Sequence, residues 1–166
     1  INMKILVCGL PGSGKSWLSE RLVKHLDNCA WYNADFVRKY ANDWDFEIEG
    51  RMRQANRMKA FADFEKNNGR WVVCDFVAPT EKARKAFDAD YLIWIDTIKV
   101  GRVVSEKLQQ LNEINNLPFD VKSLSTSKKF DDTTKMFEEP INANSHITSF
   151  LNNDEIKLLA DKIKNV

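Results

Sequence analysis

At 166 residues the chain has the length of about one domain, and its 43% hydrophobic and 30% charged content excludes a disordered or fibrous protein. Its 25 basic and 24 acidic side chains leave a net charge of +1, too little for a global pull toward nucleic acid or anionic membrane, though a local basic cleft stays open. No run approaches the ~18 to 20 apolar residues of a membrane span. Met3 reads as the native start. Cys8, Cys29 and Cys74, with no Cys-x-x-Cys, predict mostly buried thiols in a reducing, cytoplasmic compartment. His25 and His146 lack neighbours at metal-ligand spacing, so no zinc site is expected.

In chain order, Lys4-Ile5-Leu6-Val7-Cys8 is a compact apolar run closed by Gly9 and reads as a buried strand. Residues 16–27 predict a helix with Leu18, Leu22 and Leu26 on one face. Ala30-Trp31-Tyr32-Asn33 is a second strand. Residues 51–66 predict a helix striped by Ala55, Met58, Phe61 and Ala62, and Asn67-Asn68-Gly69 stops it. Trp71-Val72-Val73-Cys74 is the third strand, and Pro79-Thr80 opens a short helix to about Phe87. Tyr91-Leu92-Ile93-Trp94-Ile95 is the fourth strand, residues 146–150 a weaker fifth. Asn152 or Asn153 caps a closing helix striped by Ile156, Leu159, Ala160 and Ile163. Residues 102–129 break the rhythm and read as a lid or insertion within a single 1–166 domain. Alternating strands and helices with continuous apolar strands imply an α/β protein: a five-stranded, mostly parallel sheet with helices on both faces.

Gly9-Leu10-Pro11-Gly12-Ser13-Gly14-Lys15-Ser16 carries the Walker A spacing between a buried strand and an amphipathic helix. Phosphate oxygens must be reached by backbone N–H groups without Cβ obstruction, so glycines dominate such a turn. The helix that starts near Lys15 turns its positive end toward the anion. Lys15 reaches the β and γ phosphates, and the Ser16 hydroxyl is a Mg²⁺ ligand. A nucleoside triphosphate and Mg²⁺ are therefore the expected cofactors.

Asp35 follows the second strand and Asp75 ends the third. In a parallel sheet both fall on the rim that holds the phosphate loop. One serves the metal and the other accepts the proton of an attacking hydroxyl; the sequence leaves the assignment open, and Asp35 also reads as a helix cap. Arg38 lies three residues past Asp35, while Arg51 and Gln54 stand one helical turn apart. Guanidinium groups suit phosphate or sulfate oxygens. Arg53 reads as solvated surface. Phe46, Phe76 and Phe137 stand beside charged or loop segments, where a purine could stack.

On these residues the sequence resembles the adenylyl-sulfate kinase family of P-loop kinases. Gly9 to Ser16 matches that family's ATP loop, and Asn33-Ala34-Asp35-Phe36-Val37-Arg38 is similar to its Asp-Gly-Asp-x-x-Arg segment. Arg51 and Gln54 fall where the family has the Arg and Asn of a sulfonucleotide-holding helix. Phe76-Val77-Ala78-Pro79 resembles a Phe-Ile-Ser-Pro turn, and Phe137-Glu138-Glu139-Pro140 a Tyr-Glu-x-Pro segment. The compact form resembles versions carried by phage genomes. The resemblance implies ATP-dependent phosphorylation of the 3′-hydroxyl of adenylyl sulfate, a sulfate-assimilation activity, with a small nucleotide as acceptor and a homodimer left open. Departures are Asn33 for aspartate, Ala34 for glycine, Gln54 for asparagine, Asn56 for arginine, Ala78 for serine and Asp75 for alanine. The family's Lys-Gly-Leu-Tyr lid stretch is absent. Asp75, with Lys122, Lys128 and Lys129 in the altered lid, keeps a second class open: a kinase of a DNA end, a modified base or a free nucleotide. A nucleotide-binding switch is a third reading, against which no guanine-reading Asn-Lys-x-Asp occurs.

Overall fold

A computed structural model describes residues 3–98 and 133–166. Its elements are β1 (Lys4–Gly9), α1 (Lys15–Leu22) running into a 3-10 turn (Val23–His25), β2 (Cys29–Asn33), α2 (Ala34–Ala41) and α3 (Ile48–Asn67). Then come β3 (Trp71–Asp75), α4 (Glu81–Phe87), β4 (Tyr91–Ile95), β5 (Ser145–Ile147) and α5 (Asn153–Lys164). The expected 102–129 excursion lies outside the described residues.

The five strands form one sheet in the order β2-β3-β1-β4-β5, with every neighbouring pair parallel. Alternation along β1 explains why a continuous apolar run is needed. Ile5 and Val7 enter a core with Leu18 and Leu22 of α1 and Ile156 and Ile163 of α5. Leu6 and Cys8 enter a second core with Met58 and Ala62 of α3 and Phe87 of α4. A strand buried on both faces has no polar face to show, which is the signature of a covered parallel sheet. The result is the three-layer sandwich of a P-loop NTPase. All three cysteines are free thiols, with Cys8 and Cys74 buried and Cys29 half-buried.

Several boundaries differ from expectation. The first helix ends its α-turns at Leu22 and tightens into the 3-10 turn, yet Leu26 still reaches the core at 4% exposure. The α3 helix begins at Ile48, a turn earlier than the stripe suggests. Gly50 on its first turn is pressed against Asp45, where an added Cβ would lie 2.2 Å from the Asp45 carbonyl oxygen. Phe61, expected on the buried stripe, instead stacks on Tyr32 at 5.0 Å from an exposed position. The fifth strand pairs only over Ser145–Ile147. Phe150, beyond it, turns out to meet Trp17 edge-on at 6.1 Å. Asn152 is the cap of α5, in a reciprocal capping box with Glu155.

Strand order places the site. β1 lies between β3 and β4, so connections leave its neighbourhood toward opposite faces and a crevice opens beyond the carboxyl ends. The phosphate loop, Asn33 and Asp75 all sit at those ends.

A candidate nucleotide and acceptor site

The loop between β1 and α1 is shaped by glycines in positions other residues resist. Gly12 and Gly14 take φ of 81° and 98°, the left-handed region. A Cβ on Gly9 would stand 2.4 Å from the Ile95 carbonyl oxygen, so only glycine lets the loop pass β4 this closely. Ser13 N–H bonds the Leu10 carbonyl at 3.2 Å, and the Thr97 hydroxyl donates to the Ser13 carbonyl at 2.7 Å. Lys15 folds back and donates from Nζ to the Leu10 carbonyl at 2.9 Å. The first-turn N–H groups of α1 have no intrahelical carbonyl to bond, which makes this end an anion seat.

One cavity of about 580 Å³ joins this loop to the ends of β2 and β3 and to α2 and α3. Pro11, Gly12, Gly14, Lys15 and Ser16 line one side of it. Asp35, Arg38, Phe46, Arg51 and Gln54 line the other, and Asp75 and Phe76 close the floor. Gly9 and Ser13 shape the loop from beneath without lining the cavity. Phe137 stays out of the lining as well. It packs into the core beside Trp94, at 6.4 Å, with the Arg84 guanidinium 5.7 Å from its ring. Apolar contact with the sheet outweighs exposure for that ring.

The two carboxylates have unlike surroundings. Asp35 is exposed on the first turn of α2; the cap of that helix is Asn33, whose Oδ1 accepts the Phe36 N–H at 3.1 Å. Asp75 is 2% exposed. Its Oδ1 accepts from Asn33 Nδ2 at 2.8 Å and its Oδ2 from Trp31 Nε1. Burial pushes its carboxyl up to about 6, with those hydrogen bonds and nearby Lys15 pulling the other way.

Opposite, Arg38 is 5% exposed and donates from Nη1 to the Asp43 and Asp45 carbonyls at 2.9 and 3.1 Å. Its guanidinium lies 4.3 Å from the Phe46 ring centroid, and burial pulls its pKa down. Arg51 donates from Nε to the Phe46 carbonyl at 2.6 Å and lies 5.8 Å from the same ring. Gln54 donates to the Ala34 carbonyl at 3.0 Å and accepts from Arg57 at 2.8 Å. Arg53 and Arg57 both grip Asp43, whose carboxyl they hold well below the usual range. Phe76 packs on Phe87 at 5.6 Å, and Ala78 behind it takes φ of 43°, held by the Arg84 bond to its carbonyl at 2.7 Å.

Asn33 is the site residue that sequence reasoning passed over as a mere departure. Its Nδ2 also donates to Ser16 Oγ at 2.7 Å. The signal was a polar residue ending a strand, but its register opposite Asp75 exists only in the folded sheet.

Among the described residues no group of three or more His, Cys, Asp or Glu could hold a metal by itself. A magnesium ion fits the donor set in another way, since it keeps waters and takes one or two protein oxygens beside nucleotide phosphates. Ser16 and Asp35, both exposed, border the cavity and carry oxygens of that kind, while Asp75 borders it from a buried position.

A family model described as an AAA domain matches residues 5–104. The chain belongs to this AAA domain family. A protein described as a probable adenylyl-sulfate kinase, from Aeropyrum pernix, is 32% identical over 85 residues, 48% of this chain and 46% of that one. The chain thus spans about half the length of the curated relative it matches. Among solved structures, that of APE1195 superposes with a TM-score of 0.73 at 22% identity, covering 99% of this chain and 96% of that one. The Mycobacterium tuberculosis APS kinase CysC, in complex with AMPPNP and APS, gives 0.68 at 16% identity over 99% of both chains. Sugar and shikimate kinases share the fold as well. At these identities the likeness establishes the fold alone, one shared by kinases of different acceptors. Among the described residues no helix is long and apolar enough to cross a membrane.

Proposed function

We propose that this AAA domain protein is an ATP-dependent kinase that transfers the γ-phosphoryl group to a small-molecule hydroxyl, the 3′-hydroxyl of adenylyl sulfate. The supporting observation is the single cavity that has a phosphate loop on one side and a carboxylate, two arginines and an aromatic ring on the other. Adenylyl sulfate presents an anionic phosphosulfate, a ribose hydroxyl and a purine, and each has a chemical counterpart on that wall.

In this reading the loop N–H groups and Lys15 hold the triphosphate, with Nζ leaving the Leu10 carbonyl for the β and γ oxygens. Asp35, exposed at the start of α2, accepts the proton of the attacking hydroxyl. Arg38 and Arg51 hold the phosphosulfate, and the Phe46 ring, which lines the cavity beside them, is the stacking partner of the purine. Phe76 supplies the apolar floor. Ser16 with a rim carboxylate would hold a magnesium ion, which when bound would neutralise charge on the transferring group. Positioning and electrostatics then carry the catalysis, as phosphoryl transfer requires.

A second reading, a kinase of a DNA end, a modified base or a nucleotide, is supported by the buried carboxylate at the end of β3. Lys122, Lys128 and Lys129, which would serve it, lie outside the described residues. The deciding assay offers γ-labelled ATP and Mg²⁺ with adenylyl sulfate, mixed nucleosides and 5′-hydroxyl DNA in parallel. Label on adenylyl sulfate is expected. Label on DNA ends alone moves the protein to the second reading, and ATP binding without transfer to any acceptor ends the kinase reading. A cytoplasmic setting, a phage source and a homodimer belong to this proposal and are tested separately, by fractionation, genome context and sedimentation.

A further inference from the structure

Asn33 has three polar bonds, and together they leave its carboxamide one orientation. The Phe36 N–H can only donate, so the atom 3.1 Å from it is the amide oxygen. The amide nitrogen then faces the rim, with one hydrogen for Ser16 Oγ at 2.7 Å and the other for Asp75 Oδ1 at 2.8 Å. Asn33 and Asp75 are register partners at the last positions of β2 and β3, so the sheet itself holds the pair together. Asp75 is closed in: each oxygen already accepts a bond and the residue is 2% exposed. Ser16 is exposed, and after accepting from Asn33 its oxygen keeps a second lone pair.

From this geometry we infer that Asn33 is a positioning residue that ties the Ser16 hydroxyl to the Asp75 carboxylate, so that Asp75 acts on a phosphate-bound cation through Asn33 instead of ligating it. The inference rests on the kinase reading above and assigns Asp75 a role within it. The carboxylate orients the amide, the amide fixes the Ser16 oxygen, and that oxygen's second lone pair would remain for the cation. Because Asn33 also caps α2, the same side chain sets the position of Asp35 two residues on. Residues behind a metal ligand typically alter metal affinity about 10- to 100-fold when lost.

The test measures cation affinity without turnover. Mn²⁺ binding to the ADP-saturated protein is followed by electron paramagnetic resonance for the wild type, Asn33→Ser, Asp75→Asn and the double variant. Serine is chosen because it still caps α2 but is too short to bridge Ser16 and Asp75. ADP affinity in EDTA, expected to stay within about twofold in all four proteins, reports that fold and loop are intact. Each single change is expected to weaken Mn²⁺ about 10- to 100-fold. The double variant should be no worse than the worse single, since both act along one path. Losses that multiply, with Asp75→Asn the larger, mean that Asp75 is a direct ligand and overturn the inference. So does Asn33→Ser binding Mn²⁺ as the wild type does. A wild type that binds no ADP overturns the kinase reading and this inference together, whereas ADP binding with additive losses overturns the inference alone.

Discussion

Between Pro11 and Ser16 the cavity wall is set by backbone geometry, with the Lys15 and Ser16 side chains added to it. Its shape comes from left-handed glycines, a close pass beneath Ile95 and the N-terminal end of α1. Between Asp35 and Arg57 the wall is side chain: Arg38 and Arg51 buttress the Phe46 segment through its carbonyls, and Arg53 and Arg57 tether Asp43. The first wall needs only a short stretch of sequence, because φ preferences and helix ends are local. The second needs partners several to twenty residues away, and it can be retuned one side chain at a time. A fold shared by kinases of sulfonucleotides, sugars and shikimate is what such a division allows.

The largest expected effect separates the two walls cleanly. Asp35→Asn keeps the size of the side chain at the start of α2 and removes its basicity. Transfer should fall about 10²- to 10⁴-fold while ATP affinity is unchanged, checked by turnover and by equilibrium binding on the same preparation. Wild-type turnover would remove Asp35 from the chemistry. Loss of ATP binding would show that the walls are not independent.

A pH experiment probes the seam between the walls. The Asp75 carboxyl is pushed up to about 6 by burial, from 3.8 in the unfolded chain. Between those values the native state holds a proton that the unfolded state has released. The contribution of Asp75 to the stability of the metal-free protein is therefore fully present below pH ~4 and is lost as pH rises through ~6, by at most about 3 kcal/mol. Urea melts of the wild type and Asp75→Asn across pH 4 to 7 should diverge in that window, with the variant the flatter. Parallel curves would mean that the carboxyl ionises normally and is less enclosed than its bonds to Trp31 and Asn33 imply.

Arg51→Ala addresses the acceptor wall alone. If Arg51 holds the acceptor as proposed, its loss should raise the acceptor KM about 10- to 100-fold, with the ATP KM nearly unchanged. An equal rise in both would place Arg51 against the nucleotide and erase the separation of the two walls.

The same division decides what could be read in advance. The phosphate loop, the strands at β1, β3 and β4 and the caps of α4 and α5 were legible, because apolar runs, glycine spacing and Thr80 or Asn152 act over a few residues. The role of Asn33 was not, because it depends on β2 and β3 pairing Asn33 with Asp75. Neither was the burial of Arg38 under two carbonyls of the 43–45 turn, nor the turn of Phe137 away from the cavity toward Trp94. Each of these is a contact between segments that no local period encodes. Arg38, Arg51 and Gln54 could be nominated as a group, but the order of importance within the arginine cluster needed their partners.

That order yields the smallest expected effect. Arg53 and Arg57 both hold Asp43, but Arg53 stands half in solvent, with a side chain 50% exposed against 22% for Arg57. An exposed guanidinium forms its ion pair in competition with water and salt, and little is lost when it goes. Arg57 also donates to Gln54, whose own amide bonds the Ala34 carbonyl at the start of α2. Arg53→Ala should therefore leave the acceptor KM within about threefold of wild type, because Arg57 alone still fixes Asp43. Arg57→Ala should move it further, through Gln54 and α2. Steady-state kinetics on the two variants at low and 0.5 M salt distinguish them. If Arg53→Ala proved the more damaging, the exposed arginine would be contacting the acceptor, and the acceptor wall would extend past Asp43 to the rim of the cavity.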